Sequence, residues 1–329
     1  MADVARLAGV SSQTVSRVAN GHPGVIGSTR EQVLAAMREL GYRPNSAARA
    51  LRYGQFNTIG VILFNLSTIG NSRTVEAIAT HAAAEGYAIT LIPIDVPTQD
   101  NVLGAFTRMG ELAVDAVIVI LEVHLLDTGT VTLPPGVHAV VVDSDAGDRY
   151  SVVDTDQAEG ARSAVRHLLG LGHRTVWHVT GPESSFAAQR RAQAWRLALE
   201  EAGRPVPPPL HGDWSAGSGY TAGLRLAEEP GCTAVFCAND QMALGVLRAL
   251  HERGRSVPDE VSVVGFDDIP DSACFVPPLT TVHQDFAEVG RRCVQLVLRQ
   301  IREGGGAPSG TDLVPTRLVV RASTGPPPT

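Results

Sequence analysis

The spacing of apolar residues changes near Asn57. Before it, apolar positions recur at intervals of three and four, the period of helices. After it they gather in short unbroken blocks, the pattern of buried strands. Val4, Leu7 and Ala8 mark a first helix over Asp3–Ala8, and Gly9, able to take a positive φ, turns the chain. Val10 can fill the angle between two helices, Ser11 is a good N-cap, and Val15, Val18 and Ala19 form the buried stripe of a second helix. Ser12, Gln13, Ser16, Arg17 and Asn20 are left outside. "GSTREQVLAAMRELGYRP" predicts a third helix. Ser28 and Glu31 match a capping box, Val33, Leu34, Met37 and Leu40 make the apolar face, and Gly41 with Pro44 ends it. Asn45 can cap one more helix, "SAARALR", which has too few apolar residues to stand alone and precedes the linker "YGQFN". It reads as a segment that folds when something binds it.

Beyond Asn57, "TIGVILF", "AITLIPI", "AVIVIL" and "AVVVD" alternate with a helix ending at Gly86 and another over Asn101–Leu112. "TVWHVTG", "AVFCAN" and "VSVVGF" resume the alternation. Buried strands separated by helices mean parallel sheets with crossovers, and two such sets mean two doubly wound subdomains. Ligands of these folds sit beyond the carboxyl ends of the strands. Polar residues fall there: Asp143 ends one strand, Asn239 and Asp240 another, Asp267 and Asp268 a third. Helix capping is an alternative role for Asn239 and Asp267.

The length, 329 residues, suggests two or three domains. The longest apolar runs are far too short to span a bilayer, and no basic segment followed by a hydrophobic one opens the sequence, so a cytoplasmic protein without membrane association is expected. Cys232, Cys237, Cys274 and Cys293 lack metal-site spacing and read as core thiols in a reducing compartment. Neither metal nor cofactor is expected. The formal net charge is −7, yet Met1–Gly54 carries seven arginines against Asp3, Glu31 and Glu39. A basic head on an acidic body suggests a polyanion partner for the head alone. In a helix-turn-helix the second helix enters the major groove, where Gln bonds adenine and Arg guanine. A surface helix whose polar face meets water would show the same exposed residues.

"DVARLAGVSSQTVSRVANG", "TREQVLAAMRELGYRPNSAARALR", "GDWSAGSGY", "ANDQMALGVLRAL", "VSVVGFDD" and "PPLTTVHQDF" together resemble the lactose-repressor (LacI) family of bacterial transcription regulators, in order from Asp3 to about Thr324. The resemblance implies an all-α helix-turn-helix headpiece and an α/β periplasmic-binding-protein-like core of two doubly wound parallel-sheet subdomains. It divides the chain into a head at 1–44 and a hinge helix with linker at 45–56. A first subdomain spans 57–155 with 283–313, a second 156–282 with 314–324, and 325–329 is a disordered tail. It implies that Ser12, Gln13 and Arg17 read bases, with Thr14, Ser16 and Asn20 completing the DNA face of their helix. Asn45, Ala48, Arg49 and Leu51 would contact DNA from the hinge, Leu51 as a minor-groove wedge that bends the duplex. A plain core role is the alternative for Leu51.

A pyranose offers neighbouring hydroxyls and an apolar face of C–H groups; carboxylates, amides and guanidinium bond the first and flat aromatics cover the second. On the family pattern, Asp143, Arg191, Asn239, Asp267 and Gln284 are the polar ligands, and Trp214 and Phe286 the aromatic walls. Plain packing is an equal alternative for Trp214. Asp156, Asp240 and Asp268 read as caps or supports. The implied function is a repressor, homodimeric on a palindromic operator in double-stranded DNA, released by a sugar or glycoside inducer with a galactoside-like lean. A regulator using its ligand as co-repressor, and a sugar-binding protein without a DNA role, are the alternatives.

Several features depart from the family pattern. Family members begin a few residues earlier with a Thr that caps the first helix; here "MADV" offers Asp3, which implies a displaced start or a weaker operator contact. Ala194 stands where Gly is usual, and Thr68, Gly70, Asn71 and Thr74 make the pocket mouth more polar than in the best-known members. "GPPPT" continues into no apolar heptads, which argues against a coiled-coil tetramer. An enzyme is disfavoured: "GSGYTAG" carries G-x-G but follows no first strand, and G-x-S-x-G, P-loop and H-E-x-x-H are absent.

Overall fold

The computed structural model describes residues 1–19, 22–42, 55–64, 66, 68–94, 98–120, 137–144, 150–304 and 309–328. The chain forms two compact units, Met1–Phe56 and Asn57–Thr329. In the first, α1 (Ala2–Leu7), α2 (Ser12–Ala19) and α3 (Gly27–Glu39) bury Val4, Ala5, Val15, Val18, Val33, Ala36 and Met37 in one core. Gly9 takes φ +62°, and the Ser11 hydroxyl accepts the Thr14 N–H at 3.1 Å, starting α2. Two details of α3 differ from expectation. The helix begins at Gly27 after Ile26, so Ser28 already lies inside the first turn and makes no cap bond. Ala36, not Leu34 or Leu40, completes the buried stripe; both leucines are exposed, because Val33, Ala36 and Met37 share the inward face at spacings of three and four. Asn20 and the hinge positions Asn45, Ala48, Arg49 and Leu51 lie outside the described residues.

The second unit holds two six-stranded sheets. Sheet one contains β1 (Thr58–Leu63), β2 (Ala88–Pro93), β3 (Ala116–Ile120), β4 (Ala139–Val142), β5 (Ser151–Thr155) and β11 (Gly310–Val314), in the order β11-β5-β4-β3-β1-β2, all parallel. Sheet two contains β6 (Trp177–Thr180), β7 (Leu210–His211), β8 (Ala234–Cys237), β9 (Ser262–Asp267), β10 (Thr280–His283) and β12 (Arg317–Val319), in the order β12-β10-β9-β8-β6-β7, with only β12 antiparallel. Side chains alternate across each strand. Ile59, Val61 and Leu63 therefore join one core layer and Ile62 the other. Val235 and Cys237 likewise oppose Phe236 in sheet two.

The helices are α4 (Ile69–Ala84), α5 (Gln99–Glu111), α6 (Gln157–Gly170), α7 (Phe186–Glu201), α8 (Ala216–Glu228), α9 (Asp240–Glu252) and α10 (Phe286–Glu303). The chain crosses between sheets more than once: β10 lies in sheet two, α10 then packs Cys293, Val294 and Val297 into the core of sheet one, β11 stays there, and β12 returns to sheet two. Gln284 lies just before α10, whose cap Asp285 accepts the Glu288 N–H. Two glycines of "GSGYTAG" serve packing against α9: a Cβ on Gly219 would lie 2.1 Å from the Met242 carbonyl oxygen and one on Gly223 2.7 Å from Ala249 Cβ, and in return a Cβ on Gly245 would lie 2.0 Å from the Ala216 carbonyl oxygen.

One expectation about a single residue is corrected. Cys232, Cys237 and Cys293 are buried, but Cys274 is exposed, because it sits on a surface 3₁₀ turn, Pro270–Cys274. The tail is held at its start: the Gly325 N–H donates to Ser262 Oγ at 3.0 Å and its carbonyl bonds His173 Nε2 at 3.0 Å. His173 is fully buried and also bonds Thr233, so the tail closes over a polar network that the interior must satisfy. No helix among the described residues is long and apolar enough to cross a membrane.

Candidate functional site

A cavity lies where the carboxyl ends of the two sheets face each other. Sheet one contributes Asp143 after β4, Asp154 and Thr155 from β5, and Thr68, Asn71 and Thr74 at the start of α4. Sheet two contributes Asn239 after β8, Asp267 at the end of β9, Arg191 from α7 and Trp214 from the loop before α8; Gln284 and Phe286 come from the crossing segment. The structure thus brings together all seven residues singled out from the sequence for the ligand.

Four side chains form a closed ring of polar contacts. Arg191 Nε donates to Gln157 Oε1 at 2.8 Å, Gln157 Nε2 to Gln284 Oε1 at 3.4 Å, and Gln284 Nε2 to Asp267 Oδ1 at 2.6 Å. Arg191 Nη1, 3.7 Å from Asp267 Oδ1, closes it and also donates to the Ala238 carbonyl. The guanidinium lies 3.7 Å over the Phe266 ring and 5.5 Å from that of Trp214, so this buried cation is held by two faces as well as by acceptors. Each ring member is buried.

The carboxylates feel this environment differently. Burial pushes Asp267 up to about 6 against the pull of Arg191 and the Gln284 hydrogen bond, with the Asp143 charge adding to the rise. Burial likewise takes Asp143 to about 6, opposed by Arg191 and Arg190. Asp143 Oδ1 is out of contact with solvent and has no hydrogen-bond partner. Asp154 is held well above the ordinary range, first by burial and then by the Asp143 charge. Behind the cavity, Asp240 is fully buried and accepts from Thr281 and the Ile269 N–H, while Asp268 pairs with Arg321 at 2.6 Å and His283 at 3.0 Å. Asp240 and Asp268 thus support the wall, and Asp156 caps α6.

Backbone strain concentrates here too. Asp143 (φ +60°), Trp214 (φ +72°) and Asp267 (φ +110°) all sit in the region that side chains avoid, and each lines the cavity. Trp214 lies against Gly181, where a Cβ would come within 2.4 Å of the indole. Asn239 does two jobs: its Oδ1 caps α9 through the Met242 N–H, and its Nδ2 holds the Trp214 carbonyl at 3.0 Å. The sequence pattern does not mark Asp154 and Gln157: Asp154 lies near the end of β5, whose polar residues break the apolar block, and Gln157 opens α6.

In the head, Ser12, Gln13 and Arg17 are exposed along α2 above the buried Val15 and Val18. Thr14 and Ser16 are half-buried, and the Thr14 hydroxyl lies 2.9 Å from that of Ser11.

Residues 1–45 match the family model described as bacterial regulatory proteins, lacI family, and residues 165–324 match that of the periplasmic binding protein-like domain. The chain is 37% identical to the Lactose operon repressor of Escherichia coli (strain K12), over 98% of this chain and 89% of that one. It belongs to the lacI family of bacterial regulatory proteins. Among solved structures, this lacI-family chain is similar to the lac repressor dimer bound to operator and the anti-inducer ONPF, with TM-score 0.85, 35% identity and 98% of both chains covered. It is also similar to the transcriptional regulator CelR in complex with cellobiose, with TM-score 0.71, 29% identity and 98% of both chains covered. The lacI-family chain is thus a DNA-binding transcriptional regulator that joins a helix-turn-helix head to a ligand-binding core.

Proposed function

We propose that this regulator is a repressor, dimeric on an inverted-repeat operator, released when a sugar or glycoside enters the cleft. The carrying observation is the Arg191–Gln157–Gln284–Asp267 ring, bordered by Trp214, Phe286 and the unpartnered Asp143 oxygen. Carboxylate, amide and guanidinium groups around aromatic faces suit a ligand with adjacent hydroxyls and C–H faces. Ser12, Gln13, Thr14, Ser16, Arg17 and Asn20 would contact the operator from α2, and Asn45, Ala48, Arg49 and Leu51 from the segment that joins the head to β1. No step of this function is chemical: ligand and DNA are bound and released, in the compartment that holds the DNA.

The mechanism is a coupling of two equilibria. Asp143 and Asn71 come from the side of sheet one, Arg191 and Asp267 from that of sheet two, so a ligand bonding both fixes how far the cleft closes. A ligand that prefers the closed arrangement pulls the population toward it by its differential affinity, and operator affinity falls by the same coupling, about 1–3 kcal/mol. Operator affinity with and without sugar, in wild type and in Asp267→Ala, tests the reading. Wild type should weaken with sugar, whereas the variant should bind operator and ignore it. Tighter operator binding with sugar would make the ligand a co-repressor, and a response kept by the variant would place the site elsewhere.

A further inference from the structure

The floor of the cleft holds two carboxylates side by side. β4 and β5 run parallel in the register Val140↔Ser151, Val141↔Val152, Val142↔Val153, and the next positions are Asp143 and Asp154. Neighbouring strands are about 4.8 Å apart, and like charges placed opposite each other destabilise a sheet. Both residues line the cavity, and Asp154 is only 5% exposed. Asp154 Oδ1 accepts the Thr155 N–H at 2.6 Å, and Asp143 Oδ1 has no partner.

The positive charge nearby is already committed. Arg191 turns Nε to Gln157 and Nη1 to Ala238 and Asp267. Arg190 lies 4.8 Å over the Phe186 ring, and its charge acts on Asp143 and Asp154. Among the described residues, three carboxyl groups, Asp143, Asp154 and Asp267, face two guanidiniums, Arg190 and Arg191, so with all three ionised the site carries one negative charge in excess. A neutral polyol can donate hydroxyl hydrogens to these oxygens but leaves that excess in place. An ammonium brings three donors, no acceptor and the missing charge.

Resting on the reading of this cleft as the effector site, we infer that the effector is a polyhydroxylated ring bearing a protonated amine, an amino sugar in the simplest case, with its ammonium between Asp143 and Asp154. The remaining hydroxyls meet Asp267, Asn239 and Arg191.

Titration calorimetry of the full chain near pH 7 compares D-galactosamine and D-glucosamine with galactose, glucose and the two N-acetylated amines. At least one free amine should bind about tenfold or more tighter than both its neutral parent and its N-acetyl form, as a charge-assisted hydrogen bond implies. In Asp154→Asn that preference should shrink to within about twofold. Equal binding of an amine and its N-acetyl form by wild type overturns the inference without any variant, as does a preference that survives in Asp154→Asn, or no binding by any of the six sugars. Operator release by a neutral sugar, with no amine preferred, overturns this inference and keeps the repressor reading. Failure of every ligand to move operator affinity removes the repressor reading itself.

Discussion

In the head, the residues assigned to DNA stand on the surface of α2, and Val15 and Val18 beneath them do the folding. In the core, the residues assigned to the ligand are themselves part of the packing: Arg191 is 4% exposed and is bonded to Gln157, Ala238 and Asp267. Recognition and stability are therefore separable in the head and entangled in the core. The contrast follows from the partners. A DNA groove is read by a protruding helix, whereas a small ligand must be enclosed, and enclosure means burying charge that only neighbouring side chains can satisfy.

The strongest way to break this contrast is Arg191→Ala. The substitution leaves Asp267 without its cation and Gln157 without its donor, and removing one partner of a buried pair costs about 3–5 kcal/mol. The core should melt markedly earlier, as followed by calorimetry. A variant that melts with wild type would show the ring to be idle in the unliganded protein, and the core would then resemble the head.

Next in size is a pH effect. Asp267 titrates near 3.8 when unfolded and at about 6 when folded, so the folded chain holds a proton that the unfolded chain has lost. For a carboxyl raised in this way, the favourable contribution is full below about pH 4 and is lost as pH climbs through about 6. The amount is on the order of 3 kcal/mol at most, given about 1.4 kcal/mol per unit and the coupling to Asp143. Asp267→Asn abolishes it. Denaturant unfolding of both proteins across this range should therefore show the variant gaining on wild type as pH rises, and a flat difference would mean that Asp267 is ionised throughout.

Much of this arrangement is legible in the sequence. Gly9 as the turn, Ser11 as the cap, and Val15 and Val18 as the inner stripe followed from period and capping alone, since a short helix has few ways to bury two valines. Asp143, Asn239 and Asp267 could be placed by the rule that polar residues ending buried strands face the ligand crevice. Asp154 could not, because β5 is fully buried yet reads "SVVDT", and its polar ends are satisfied by tertiary partners such as Gln300, which bonds Ser151 at 3.2 Å. A strand whose polar groups are paired from a distant helix leaves no local pattern. The glycines at 219 and 245 were equally opaque, since their reason is the approach of two helices that no local sequence reveals.

The smallest expected effect is also the most selective. Arg17 is exposed near the end of α2, has no part in the buried core of the head, and its helix is started by the Ser11 cap on the Thr14 N–H. Arg17→Ala should therefore leave unfolding of both units unchanged. Loss of a bidentate contact to a base should cost about 1–3 kcal/mol on the cognate site. The loss should fall on one base pair of each half-site, read by operator variants mutated at single positions. Equal weakening on every sequence, with a shallower salt dependence, would make Arg17 a phosphate contact. Destabilisation of the head by the same substitution would undo the contrast, because recognition there would be as entangled with folding as it is around Arg191.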